Sequence, residues 1–186
     1  MAKYIMALDA GTTSNRCILF NERGEMCSVS QREFPQYFPK PGWVEHNPQE
    51  ILFSQLGCLT ELLARHGLGA EDIDSIGIDN QRETTVAWNR ATGEPLCDAV
   101  VWQCARAREL CDKLAARGGV TELVRDTTGL VLSPYYPAGK MAWIIANVPA
   151  AVEAAAAGEL CLGTIDAWVV WTLTGGAEFR CDWSNA

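Results

Sequence analysis

The chain has 186 residues, of which 48% are hydrophobic and 20% charged. That is the balance of a folded domain, and it excludes a disordered or low-complexity chain. Asp and Glu outnumber Lys and Arg by 23 to 15 and there is no basic run, so nucleic acid is excluded as a partner, because its phosphates would be repelled. The eight cysteines include no Cys-x-x-Cys and there are only two histidines. This excludes a zinc site built on closely spaced ligand pairs and predicts eight free, mostly buried thiols in a cytoplasmic protein.

In chain order, residues 4–8 form a short apolar run closed by Asp9. It is too short for a signal peptide and reads as a buried strand. A polar turn over 10–15, a strand over 16–20, a turn at 21–24 and a strand over 25–34 complete an antiparallel meander. Pro39 to Gly42 marks a loop. Asn47 then caps a helix with Pro48 at its first position and Glu50 placed to close a capping box. Leu52, Leu56, Leu59 and Leu63 share one face of that helix, and Gly67 and Gly69 end it. Residues 73–79 read as a strand parallel to the first, because a helix joins the two. Strands over 84–88 and 96–101 follow, joined by a turn at 89–93. From about 103 to 157 the chain is helical, broken by a loop over 127–137. A strand at 160–163 and a helix near 165–173 close the pattern. The apolar stretch 160–177 carries Asp166 and three glycines, so it reads as strand, turn and helix rather than a membrane span. The order of elements predicts an α/β domain with a mixed sheet flanked by helices.

Three segments carry candidate chemistry. Asp9-Ala10-Gly11-Thr12-Thr13-Ser14-Asn15-Arg16 is a tight turn leaving a buried strand. Backbone N–H groups and the hydroxyls of Thr12, Thr13 and Ser14 can cradle phosphate oxygens, Arg16 adds a charged donor, and Asp9 suits a magnesium ion or its waters. The same residues also suit an ordinary hairpin turn. Asp79-Asn80-Gln81-Arg82-Glu83-Thr84-Thr85 follows a strand, where ligands bind in α/β sheets. Arg82 and Glu83 offer a donor fork and an acceptor, which suits either a polyol or a surface ion pair. Trp102 and Tyr135 each provide an aromatic face with a polar handle. His46 reads as a structural residue at the entry to the helix.

Taken in this order, the segments resemble the FGGY carbohydrate kinases. The matching stretches are Asp9 to Thr13, Pro41 to Pro48, Asn80 to Thr85, Val101 to Cys104, Thr128 to Leu130 with Pro134-Tyr135, and Gly163 to Trp168. The resemblance implies a ribonuclease-H-like, actin-type ATPase fold that uses ATP and Mg2+. It implies that Thr12, Thr13, Ser14 and Arg16 contact nucleotide phosphates and that Asp9 supports the metal. It also implies that Arg82, Glu83 and Tyr135 hydrogen-bond glycerol while Trp102 packs on its carbons. The Gln81-Arg82-Glu83 run favours glycerol over a ketopentose. Ala10 and residues 136–140 depart from the usual family pattern. Members are more than twice this length and are expected to be homo-oligomers. On this resemblance, 1–186 is an N-terminal domain whose general base lies beyond residue 186, and it is inactive alone.

Overall fold

The computed structural model describes residues 3–185; the ends of the expected 1–186 domain lie outside them. Two four-stranded sheets organise the chain. The first has β1 (Tyr4–Ala10), β2 (Ser14–Phe20) and β3 (Met26–Glu33) as an antiparallel meander. The helix α1 (Pro48–His66) then crosses over, and β4 (Ile73–Asn80) pairs parallel to β1, giving the spatial order β3-β2-β1-β4. This is the mixed sheet expected from the sequence.

The strands expected over 84–88, 96–101 and 160–163 do not join the first sheet but pair in a second one. Three of its strands are β5 (Thr85–Asn89), β6 (Ala99–Val100) and β7 (Leu160–Thr164), and its edge is the short pair Glu45–His46. All of its pairings are antiparallel. The strand expected over 96–101 shrinks to Ala99–Val100, and Pro95, just before it, makes only an isolated bridge to Trp88. Between β6 and β7 lie α2 (Arg108–Ala115), α3 (Val120–Thr128), α4 (Pro137–Asn147) and α5 (Pro149–Ala156), and α6 (Ile165–Leu173) follows β7. The expected break runs from Gly129, which ends α3 in the left-handed conformation, to Tyr136 before α4. No described helix is long and apolar enough to cross a membrane.

Alternation along the strands decides which face is buried. Met6, Leu8 and Ala10 of β1 and Cys17 and Leu19 of β2 point toward α1 and form the main core with Ile51, Cys58 and Leu62. The buried stripe of α1 is Ile51–Gln55–Cys58–Leu62. The leucines at 56, 59 and 63 flank it instead of forming its centre. The buried Gln55 amide donates to the Arg16 carbonyl at 2.7 Å, while its Oε1 has no partner. Asn47 Oδ1 accepts from the N–H groups of Gln49 and Glu50, as expected. Glu50 does not close the box, because its carboxylate accepts from the Tyr37 hydroxyl. All eight cysteines are free.

Candidate functional site

The opposite face of the first sheet carries charge at the end where β1 and β4 finish and β2 begins. Register places Asp9 beside Arg16 on one side and beside Asp79 on the other, with Gln31 beyond Arg16. Arg16 reaches Asp9 at 3.3 Å and donates to Gln31 at 3.1 Å. Asp9 is raised above the ordinary carboxylate range, first by burial and then, against the opposing pull of Arg16, by the neighbouring Asp79 charge. Asp79 opens the second candidate segment of the sequence, and the parallel register is what brings it to Asp9.

The turn between β1 and β2 sits directly above this row. Gly11 is required there, since a Cβ would come within 2.8 Å of the Ser14 carbonyl. Thr12 and Thr13 form the bend. Ser14 is buried and accepts from Gln31 Nε2 at 2.9 Å, so it supports the turn from below.

Parallel pairing of β1 with β4 delivers the loop after β4 to the same end of the sheet. The Gln81 N–H donates to the Ala10 carbonyl at 2.7 Å, and its side-chain amide donates to the Gly11 carbonyl at 3.2 Å. Arg82 and Glu83 are the next two residues. Glu83 has φ of 64°, a left-handed conformation that costs a non-glycine residue about 1–3 kcal/mol and is met at functional sites.

Trp102 and Tyr135 close the group. The Trp102 indole N–H donates to the Thr12 hydroxyl at 3.1 Å, and its ring meets that of Tyr135 edge-on at 5.8 Å. Partial burial and then the Glu83 carboxylate raise the Tyr135 phenol above its ordinary value. Arg82, Glu83, Trp102, Tyr135 and the Thr12–Thr13 turn thus lie at one end of the molecule. Lys140, from the run that departs from the family pattern, is fully buried and donates to the Tyr135 carbonyl. Burial pushes its ammonium down to about 8. Neither Lys140 nor His46, which is fully buried beneath the turn, was assigned a role at the site from the sequence. Their signal is burial of a titratable group, which emerges only on folding.

A meander continued by a parallel strand, with a hydroxyl-bearing hairpin and a polar loop meeting at one end, is the ribonuclease-H-like arrangement of actin-type ATPases. Within that class the chain belongs to the FGGY family of carbohydrate kinases: residues 4–186 match the N-terminal domain of that family. The glycerol kinase of Agathobacter rectalis is 56% identical over 186 residues, which is 100% of this chain and 37% of that protein. Glycerol kinase 1 of Clostridium tetani is 53% identical over the same span and to the same coverage. Among solved structures, glycerol kinase of Plasmodium falciparum with ADP superposes with a TM-score of 0.86 at 30% identity, over 94% of this chain and 35% of that one. The xylulose kinase of Rhodospirillum rubrum superposes with a TM-score of 0.81 at 24% identity, over 98% of this chain and 37% of that one, a likeness of fold. The chain therefore spans 37% of the length of these curated relatives.

Proposed function

We propose that this domain forms the glycerol-binding and phosphate-binding part of an ATP-dependent glycerol kinase that works in the cytoplasm. The observation that carries the reading is the direct bonding of the Gly11–Thr12 turn to both the Gln81–Glu83 loop and Trp102. Donors for phosphate oxygens and groups for a small polyol thereby share one surface. The names of the relatives at 53–56% identity supply the choice of polyol, and the eight free thiols suit a reducing compartment.

In this reading Arg82 donates to glycerol hydroxyls, Glu83 accepts from them, Tyr135 contributes its phenol and Trp102 covers the carbons. Thr12, Thr13 and the backbone of the turn hold phosphate oxygens, with Arg16 adding charge at the rim. Phosphoryl transfer depends mainly on such positioning and on charge stabilisation. Asp9 and Asp79 suit a magnesium ion. They are adjacent carboxylates whose mutual repulsion a cation would relieve, and magnesium is commonly held by one or two carboxylates together with substrate phosphates. When bound, the ion would offset phosphate charge.

The test is ADP release by the intact protein with glycerol and, separately, with xylulose. Turnover on glycerol and none on xylulose is expected. No glycerol-dependent ADP release would overturn the reading.

A further inference from the structure

Beneath the site, the side chains of Gln36, His46, Gln81 and Thr84 join Trp102 to Thr12 in a closed ring of hydrogen bonds. Gln36 Nε2 donates to the Thr12 carbonyl at 3.0 Å and faces the Phe34 carbonyl at 3.4 Å. Its Oε1 lies 2.5 Å from His46 Nε2. His46 Nδ1 lies 3.3 Å from Gln81 Nε2, which also donates to the Gly11 carbonyl. Gln81 Oε1 accepts from the Thr84 hydroxyl at 3.1 Å, and Thr84 Oγ1 accepts from the Trp102 backbone N–H at 3.2 Å. The Trp102 indole N–H then returns to Thr12 Oγ1.

Groups with a single hydrogen-bonding role fix the directions: the Thr12 and Gly11 carbonyls accept, and the two Trp102 N–H groups donate. A carbonyl only accepts, so both glutamine amides must turn their NH2 groups toward the hairpin. Gln36 then presents its oxygen to His46, so His46 Nε2 carries the proton. Gln81 presents an N–H, so His46 Nδ1 is bare. A histidine of any other protonation state would set a donor against a donor, or an acceptor against an acceptor. At the far end, the donor-only indole N–H of Trp102 takes one lone pair of Thr12 Oγ1 and fixes where that hydroxyl sits. His46 and Thr84 are fully buried and Gln81 nearly so. Among the described residues, no member of the ring has an unpartnered buried side-chain atom.

We propose that His46, as the neutral Nε2–H tautomer, is a positioning residue for phosphoryl transfer: it bridges Gln36 and Gln81 and so completes the ring that bolts the phosphate turn to the polyol loop and holds Thr12 in place. This deepens the kinase reading and rests on it. His46 touches neither substrate and acts through Gln36 and Gln81 on the turn.

A double-mutant cycle in the intact protein tests it. His46→Leu fills the buried slot without polar atoms and should lower kcat by about 10–100-fold, the loss of two hydrogen bonds with their partners left buried. Thr12→Val removes the hydroxyl and should do the same. The double variant should be little worse than Thr12→Val alone, because interacting residues are not additive. Multiplying losses would overturn the proposal, since a merely structural histidine acts independently of one hydroxyl. If His46→Leu fails to fold, Gln36→Met breaks the next link and enters the same cycle with the same expectation. Long-range proton–nitrogen correlation spectra, with His46 assigned by its loss in a variant, should read the Nε2–H form; an Nδ1–H or doubly protonated ring would overturn the proposal. An active wild type with additive losses rejects the role of His46 alone, whereas a wild type inactive on glycerol rejects the kinase reading and this inference with it.

Discussion

The two halves of the site are held in place by different means. The Gly11–Thr12 turn and the side chains of Gln81 and Thr84 are tied to each other and to Trp102 by directed bonds among buried and half-buried side chains. Tyr135, by contrast, lies 40% exposed on the segment between α3 and α4. Its holds are the Lys140 ammonium on its carbonyl, the Ser133 hydroxyl on its N–H at 3.2 Å and edge contacts with Trp102 and Tyr136. A fully bonded buried network is rigid and loses much when one member fails, while an exposed aromatic supported by packing loses only what it contributes itself. The phosphate side is therefore pre-set before a ligand arrives, and the polyol flank is adjustable. The comparison predicts that perturbations in the first half are large and shared by both substrates, and those in the second small and confined to one.

Acid should have the largest effect, and on the bolted half. Burial pushes the His46 imidazole down to about 4 from its ordinary 6.5. Below pH 6.5 the unfolded chain takes up a proton here that the folded chain does not. The contribution of neutral His46 is thus complete above 6.5 and is lost as the pH falls toward 4, at about 1.4 kcal/mol per pH unit and about 3 kcal/mol in all. Urea unfolding at pH 7.5 and 4.5 should show this loss in the wild type and a smaller one in His46→Asn, which has no imidazole to titrate. Equal losses in both proteins would mean that His46 is not held neutral.

Next is Glu83→Gln, at the joint between the halves. It keeps the shape and removes the charge-assisted acceptor, a loss of about 1.5–3 kcal/mol. That is a fall of about 10–100-fold in kcat/KM for glycerol, with the KM for ATP nearly unchanged. An equal fall for ATP would place Glu83 with the phosphate groups instead.

Much of the frame was legible in the sequence because it is written locally. Short apolar runs closed by turns give the meander, Asn47-Pro48 opens α1, and a helix between two strands makes β1 and β4 parallel, which alone carries Arg82 and Glu83 to the Thr12 turn. The bolted network was not legible. Gln36, His46, Gln81 and Trp102 stand far apart in sequence, and each, taken alone, is an ordinary polar or aromatic residue. What makes them a ring is the second sheet. Its pairing of His46 with Ala99 and of Thr85 with Val100 sets these segments side by side, and no short-range period encodes that. Asp79 heads the second candidate segment, but its place beside Asp9 was not legible for a related reason: that pairing is a property of register, not of neighbours in the chain.

A smaller and sharper test of the bolted half is Trp102→Phe. The benzene ring keeps a face for the polyol carbons and loses the indole N–H that fixes Thr12. The expected loss is that of one neutral hydrogen bond, about 0.5–1.5 kcal/mol, or about two- to twelvefold in kcat. It should appear at saturating glycerol. A change confined to the KM for glycerol would mean that Trp102 serves the polyol alone and does not act on the turn.

The smallest effect should come from Tyr135→Phe. The substitution retains the ring, so the edge contacts with Trp102 and Tyr136 survive. The backbone carbonyl that Lys140 holds is unaffected. Only the phenol hydroxyl is lost, at a side chain open enough for water to take its place. The KM for glycerol should therefore rise about two- to fivefold, the lower part of the range for one neutral hydrogen bond. The kcat, the KM for ATP and the melting temperature should stay as in the wild type. Lys140→Met sharpens the reading, because it removes the support of the same segment while leaving the phenol intact. If Tyr135 belongs to an adjustable flank, Lys140→Met should likewise move the KM for glycerol and leave the KM for ATP in place. Should either variant weaken ATP as much as glycerol, the Tyr135 segment would be part of the bolted half, and the division between the two halves would have to be redrawn to enclose Lys140 with the ring.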